Sequence, residues 1–401
     1  MEISRYEQRG VSASKPDVEQ AVTVLDPGLY PGAFCRIYPD YFCGSPDHCV
    51  IQHSDGAGSK ALLAYLYWKL TDDLDWMIWS DIVKDSLFMN LDDAACAGAF
   101  GPFVVSMAIA RNKRLIPGDI VKSLIGACQK LCSALSDLGF PCHFTGGETA
   151  DLGDQVRTLT VDHTITVRFL RSDVIDASRI SAPALIVGFS SAGRAAWEDK
   201  KNSGIRSNGL TNARHDILSP AHRIHTETFD PESDPDLVYC GNYGLWDTWN
   251  TAAGTPDFYI GSALLSPTRT YLPLISNIVR EIGVHHIQGF IHCSGRGQAK
   301  IGKFGFPGIV YIKDDLLPVP PIFQMLHVPG MSLRQMYETY NMGHGLEAVV
   351  KDQVVADVCI EIAALCGIEA KVIGRVVPNG ANPHGRKVVI KTAGEEFSYG
   401  V

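Results

Sequence analysis

The chain has 401 residues, 46% hydrophobic and 20% charged, which supports buried cores for about two domains and excludes a disordered chain. Lys and Arg number 35 against 44 Asp and Glu, a net charge of −9. That balance argues against a nucleic-acid or anionic-membrane binder and leaves room for one local cationic pocket. Met1 to Gly10 is charged and offers no signal peptide. The 11 cysteines form no CxxC pair, as in a reduced, cytoplasmic protein. Cys128 and Cys132, one helical turn apart, read as core. Cys43, His48, Cys49 and His53 fit no standard zinc spacing.

In chain order, the first sharp feature is Ser54-Asp55-Gly56-Ala57-Gly58-Ser59-Lys60. Its glycines permit a tight turn whose amides approach an anion. Ser59 offers a hydroxyl, Lys60 a positive charge and Asp55 a hard oxygen for magnesium. The first glycine of a Walker A loop would lie further upstream, and a plain turn with an exposed lysine fits the same letters. Asp85 to Asp93 reads as a helix with Asp85, Met89 and Asp93 roughly on one face. Asp85 and Asp93 are then about 12 Å apart along the axis and cannot chelate one ion together. In a plain helix Asp85 would favour the N-terminus and Asp92 would be solvated, so Asp93 is the carboxylate singled out for chemistry. Ala94 to Ala110 is the longest apolar stretch. Gly98, Gly101 and Pro102 break it, which predicts a buried helix running into a buried strand and no membrane span.

Ile120, Leu124, Ile125, Cys128, Leu131, Leu135 and Leu138 recur every three or four residues before Gly139 and predict a helix. The apolar run Phe140 to Phe144 leads into Gly146-Gly147-Glu148-Thr149-Ala150-Asp151. Two glycines at a strand end would expose backbone to a ligand, with Glu148 at the rim; a hairpin turn is the plain alternative. Val161, His163, Ile165, Val167 and Phe169 alternate with polar residues and predict a half-buried strand. Residues 171–183 form the best boundary, giving domains 1–178 and 179–401. Ala184 to Phe189 predicts a buried strand. Asp230 to Pro267 is rich in glycine and proline without a clear period and reads as a surface excursion, with an insertion near 230–260 that carries its own short elements.

Further on, Tyr271, Leu274, Ile275, Ile278, Val279 and Ile282 predict a helix before Gly283. Val354, Val355, Val358, Cys359, Ile362 and Cys366 predict another before Gly367. Lys371 to Val377 and Lys387 to Lys391 read as strands. Three small-residue loops are candidate ligand contacts: Ser207-Asn208-Gly209, His292-Cys293-Ser294-Gly295-Arg296-Gly297 and Asn341-Met342-Gly343-His344-Gly345. Arg296 suits a phosphate through its planar fork. The lone histidines His163 and His327 read as structural. Helices and strands without strict alternation predict an α+β fold.

These pieces, in this order, resemble the aminoimidazole ribonucleotide synthetase family, also called phosphoribosylformylglycinamidine cyclo-ligase. Tyr6 to Ser14 is similar to the family's opening segment, and Gly32-Ala33-Phe34-Cys35 to its early glycine-rich stretch. Asp55-Gly56-Ala57-Gly58-Ser59-Lys60 resembles Asp-Gly-x-Gly-Thr-Lys. Asp92-Asp93 resembles the helix ending in Asn-Asp, and Gly146-Gly147-Glu148-Thr149-Ala150 repeats Gly-Gly-Glu-Thr-Ala outright. Ser207-Asn208-Gly209, Leu265-Ser266-Pro267-Thr268-Arg269-x-Tyr271, His292 to Gly297 and Met336 to Gly345 resemble motifs of the second half. The chain departs from the family at Arg296, which replaces a glycine. It departs again at Gln298-Ala299-Lys300-Ile301-Gly302, where the family has Glu-Asn-Ile-Pro-Arg, and in extra residues at Arg194 to Arg206 and Asp230 to Ile260.

The resemblance implies a two-domain α+β fold whose N-terminal sheets close into a barrel across a cytoplasmic homodimer, with ATP in a cleft partly at that interface. It implies ATP-dependent ring closure of formylglycinamidine ribonucleotide through phosphorylation of the formamide oxygen. Asp55, Asp93 and Glu148 would hold magnesium, and Lys60 would neutralise phosphate charge. His292 would act near the ring-closing centre. Gly56, Gly58, Ser59, Asp85, Gly146, Gly147, Thr149, Ser207, Asn208, Gly209, Ser294, Gly295, Arg296 and Asn341 would contact ATP or the ribonucleotide. Two alternatives stay open: another kinase or synthetase on the same scaffold, and a nucleotide-binding paralogue that no longer turns over.

Overall fold

The computed structural model describes residues 4–12, 15–71, 76–248 and 258–400. Ala13 and Ser14 of the opening motif and residues 249–257 of the 230–260 insertion lie outside them. Two sheets organise the chain. The first contains β1 (Tyr38–Pro39), β2 (His48–Gly56), β3 (Phe103–Arg111), β4 (Cys142–Asp151) and β5 (Leu159–Leu170) in the order β1-β2-β5-β3-β4. Only β3 and β4 run parallel. The second contains β6 (Ala184–Ser190), β7 (Ile287–His292), β8 (Ile309–Lys313), β9 (His344–Val350), β10 (Ala370–Pro378), β11 (Arg386–Lys391) and β12 (Glu396–Gly400), ordered β12-β11-β8-β10-β6-β9-β7.

Period-2 patterning explains the first sheet. Leu159, Val161, His163, Ile165, Val167 and Phe169 of β5 are buried on one face. The helices Trp76–Cys96 and Gly118–Asp137 cover that face, while Val104 and other alternate residues of β3 stay open. A single chain leaves the sheet unclosed. Gly118–Asp137 buries Ile120, Leu124, Ala127, Cys128, Cys132 and Leu135. Ile125 and Leu138, which the apolar period also includes, are 42% and 51% exposed, because each falls off the face turned to β4.

Gly146 and Gly147 occupy neither a strand end nor a hairpin. They form a bulge inside the edge strand β4, where one extra residue is accommodated between the pairs Val105–Phe144 and Met107–Gly147. Gly146 supplies the bulge with φ +90°. A Cβ on Gly147 would lie 1.8 Å from the Met107 carbonyl oxygen. Gly147→Ala should therefore push β4 off β3 at a cost of about 2 kcal/mol. Urea unfolding measures this, and an unchanged midpoint would contradict it.

His163 is buried, with Nδ1 2.7 Å from Ser86 Oγ and Nε2 3.4 Å from Cys128 Sγ. Burial holds its pKa at about 3, below the ordinary 6.5. Below pH 6.5 the unfolded chain therefore binds a proton that the folded one refuses. Stability present above that pH is lost as pH falls towards 3, by about 1.4 kcal/mol per unit. Urea unfolding at pH 7 and pH 5 should show a loss about 2 kcal/mol larger in the wild type than in His163→Asn. Equal losses would remove His163 from the acid sensitivity.

The long helix Trp76–Cys96 touches β2 and β5 on one side and β7 and the helix Leu272–Ile282 on the other. It is buried around most of its circumference because both sides are covered, and it therefore carries buried polar residues such as Asp85, Asn90 and Asp92 that find partners in both layers. The segment 230–260 is more than a surface excursion. It holds the turn Pro235–Leu237 and buries Val238, Tyr239 and Leu245. Tyr239 Oη accepts a hydrogen bond from the buried Arg214 at 3.0 Å, which anchors the segment. Among the described residues, no helix is long and apolar enough to cross a membrane.

Candidate active site

Three aspartates on the helix Trp76–Cys96 divide the labour. Asp85 Oδ1 accepts from Lys60 Nζ at 2.9 Å, and from the Thr268 N–H at 2.8 Å and hydroxyl at 2.7 Å. Asp92 Oδ1 accepts from the Thr270 hydroxyl at 2.6 Å, and from the amides of Tyr271 at 2.9 Å and Leu272 at 3.1 Å. Asp92 thus caps the helix Leu272–Ile282. Burial raises Asp92 to about 7 despite these donors. Helical geometry gives the reason for the pairing. Seven residues fall about 20° short of two full turns, whereas eight overshoot by about 80°. Asp85 and Asp92 therefore share the face that grips residues 266–272, and Asp93 looks elsewhere. Asp85 is no helix N-terminus, and Asp92, fully buried, is not solvated.

Asp93 meets a second set of groups. His292, at the end of β7, is fully buried and donates from Nδ1 to Asp93 Oδ1 at 2.5 Å. Arg206 donates to His292 Nε2 and, at 2.8 Å, to the Gly345 carbonyl. An arginine only donates, so Nε2 must accept and the imidazole proton must sit on Nδ1. Burial, then the Arg206 charge, hold His292 at about 3. His292 is therefore neutral and orients Asp93, and it cannot serve as an acid at neutral pH. Burial would raise Asp93, but Lys300 and the His292 N–H outweigh it and hold the carboxyl at about 2. His53 Nε2 lies 3.5 Å from Asp93 Oδ2, with Nδ1 bonded to Asn90 Oδ1 at 2.8 Å. At the end of β2, Asp55 is raised by burial and then by Asp93. These two carboxyls form a hard-oxygen pair whose mutual repulsion a cation would relieve.

Beside this centre lies a cleft of about 340 Å³ lined by Asn208, Gly209, Gly295, Arg296, Lys300 and Lys303, with Lys15 and Glu19. Four of its residues are cationic and one is acidic. Glu19 pairs with Lys303 and lies 3.8 Å from Arg296. Lys300 Nζ donates to Ser294 Oγ at 2.5 Å and sits 4.5 Å over the Phe34 ring. Gly58, φ +59°, faces open space, and Ser59 Oγ lies 2.9 Å from Thr211 Oγ1 just beyond Ser207-Asn208-Gly209. Gly56 permits close strand approach, because a Cβ there would lie 1.9 Å from Asp162 Oδ1.

Several expected ligand contacts are placed elsewhere, among them Lys60, Asp85, Asn341 and, with Gly146, Gly147 and Thr149 on the same strand, Glu148. Lys60 is fully buried, and its second bond runs to the Ser266 carbonyl at 2.6 Å, so its ammonium is spent on Asp85 and the loop. Asp85 is its partner in that clamp. Asn341 uses Oδ1 on Ser191 Oγ and Gly343 N, and Nδ2 on the Gly204 carbonyl, so it ties loops together. Glu148 is exposed, and the register Gly56–Asp162–Ala108–Glu148 puts it three strands from Gly56. At about 4.8 Å per strand that is about 14 Å, too far for Glu148 to share an ion with Asp55 in one chain.

Arg206 and Asn90 were given no role from the sequence, His53 entered only among residues that fit no standard zinc spacing, and Lys300 only within a departure from the family pattern. Arg206 carries one retrospective signal: it directly precedes Ser207-Asn208-Gly209 and takes φ +61°, an uncommon conformation for a buried side chain.

A family model described as AIR synthase related protein, N-terminal domain, matches residues 35–168, and one described as its C-terminal domain matches residues 260–383. The chain belongs to the AIR synthase related family. The N-terminal match spans β1 to β5 and the C-terminal match β7 to β10. The segment between the two matches, 169–259, holds Arg206 and the Ser207-Asn208-Gly209 loop. A phosphoribosylformylglycinamidine cyclo-ligase of Methanocaldococcus jannaschii is 27% identical over 348 residues, covering 86% of this chain and 83% of the relative. The crystal structure of a HypE–HypF complex superposes with TM-score 0.55 at 14% identity, covering 97% of this chain and 99% of that one. AaThiL, solved with AMPPCP and TMP, superposes with TM-score 0.52 at 10% identity, covering 96% of each chain. Both structural likenesses establish a shared AIR synthase-type fold.

Proposed function

We propose that the chain is an ATP-dependent cyclo-ligase that closes formylglycinamidine ribonucleotide to aminoimidazole ribonucleotide in purine biosynthesis. The observation that carries this reading is an ionised Asp93, fixed by His292 and paired with Asp55, within the field of Lys300, which lines the neighbouring cationic cleft. The cyclo-ligase relative, matched over most of both chains, supports the same reaction. ATP phosphorylates the formamide oxygen, the amidine nitrogen attacks that carbon, phosphate leaves and the imidazole closes.

Phosphoryl transfer depends mainly on positioning and charge neutralisation. Asp55 and Asp93 are the residues that would hold magnesium, which neutralises triphosphate charge when bound. Magnesium takes one or two carboxylates and completes its shell with phosphate and water. Arg296, Lys300 and Lys303 grip the ribonucleotide phosphate once Glu19 yields its contacts. His292 holds its proton on Nδ1 and thereby fixes the Asp93 carboxylate.

The open face of the first sheet suits a homodimer in which two such sheets close a barrel. Gly146, Gly147, Glu148 and Thr149 on edge strand β4 would then serve the second copy's nucleotide. We assign the protein to the cytoplasm with the rest of that pathway.

Purified protein given the amidine ribonucleotide, ATP and magnesium should release aminoimidazole ribonucleotide with ADP and phosphate, followed by chromatography. No product under saturating conditions overturns the reading. Arg296 in place of the family's glycine favours one second reading, a kinase on the same scaffold. ATP consumption with phosphate left on another acceptor would select it.

A further inference from the structure

Away from the active site, nucleophilic side chains crowd together where the helix Gly118–Asp137 meets β4. Cys128 and Cys132 lie on the buried face of the helix, and Cys142 opens the strand. Cys132 Sγ and Cys142 Sγ are 3.3 Å apart, and neither is bonded in a disulfide. Ser136 fixes the two backbones. Its Oγ donates to the Cys132 carbonyl at 2.9 Å and accepts from the Cys142 N–H at 3.0 Å. The thiols are thus held at close approach by bonds that do not involve them. The group does not read as a metal site, because among the described residues no three His, Cys, Asp or Glu groups are arranged to hold an ion. Access is narrow: Cys142 is 5% exposed at the start of an edge strand, and Cys132 is 1% exposed. Cys142 is therefore the sulfur that a reagent meets first.

We propose that Cys132 and Cys142 form a modification site that hydrogen peroxide converts to an intrachain disulfide. Cys142 gives up its proton and its sulfur attacks one peroxide oxygen. The O–O bond breaks, hydroxide leaves and takes up that proton as water, and Cys142 becomes a sulfenic acid. The Cys132 sulfur then attacks the Cys142 sulfur, the S–O bond breaks, and the departing oxygen takes the Cys132 proton as a second water. Two thiols are oxidised and one peroxide is reduced to two waters. The 3.3 Å between the sulfurs sets up the second step.

The test uses the full chain. Reduced protein is treated with hydrogen peroxide, quenched, unfolded, alkylated with iodoacetamide and digested with trypsin. Cleavage after Lys130 and Arg157 places both cysteines on one peptide, Leu131 to Arg157, and leaves Cys128 on another. The expected product is that peptide two hydrogens lighter and free of alkyl groups until a reductant restores both sites. Cys132→Ser and Cys142→Ser should each abolish it, and Cys128→Ser should leave it intact. Two alkylated cysteines on that peptide after treatment, or a bridge that uses Cys128, would overturn the proposal. The wild-type map decides the matter even if one variant folds poorly.

Discussion

Asp93→Ala is expected to abolish ATP-dependent turnover and leave the protein folded. The side chain is 10% exposed, and its bond to His292 runs to a group of the centre. Its loss removes one of two hard oxygen donors and leaves the His292 N–H and Lys300 without their anion. Losing a preorganised charge at a phosphoryl-transfer centre costs about a thousandfold or more in kcat. The neighbouring aspartate supplies the contrast. Asp92 accepts three hydrogen bonds from residues 270–272. Asp92→Ala should cost about 3 kcal/mol of stability, because it uncaps the helix Leu272–Ile282. Turnover and urea unfolding measured on both variants separate the roles. Wild-type turnover in Asp93→Ala would remove it from the chemistry, and an Asp92→Ala protein of unchanged stability would remove the clamp.

Much of the fold was legible because burial follows period. The alternation from Val161 to Phe169 names the inward face of β5 residue by residue, and the apolar repeats before Gly139, Gly283 and Gly367 mark three helices. The site was legible in part. Asp55 and Asp93 lie close enough to repel one another, and Asn208, Gly295 and Arg296 line the cleft beside them, since glycine-rich loops and acidic residues gather at strand and helix ends. Strand order is what a motif cannot carry. Gly146-Gly147-Glu148 reads like a phosphate-facing turn, yet β5 and β3 lie between it and Asp55. Nor can a motif carry the choice between ligand and protein as hydrogen-bond partner. Asn341 meets the Ser191, Gly204 and Gly343 loops before it can meet anything else. Arg206 escaped notice because its role depends on His292, 86 positions away. Only the packed structure reveals that such a guanidinium sets an imidazole's tautomer.

Lys60 is where letters and structure diverge most, and Lys60→Met should act on stability before it acts on ATP. Both side chains of the Lys60–Asp85 pair are fully buried. Burial lowers Lys60 and raises Asp85, so each ion depends on the other to stay charged. Removing the ammonium strands a carboxylate that already has one oxygen without a partner, Asp85 Oδ2. Breaking such a pair from one side costs about 3–5 kcal/mol, whereas replacing both ions with apolar groups of similar volume is often neutral. Urea unfolding of Lys60→Met and of Lys60→Met with Asp85→Leu should show the single variant as the less stable. At low temperature, where the single variant stays folded, affinity for a nonhydrolysable ATP analogue should remain within about threefold of wild type, since the ammonium is turned to Asp85 and the Ser266 carbonyl. Unchanged stability with lost nucleotide binding would return Lys60 to the phosphates and break the assignment of this buried clamp.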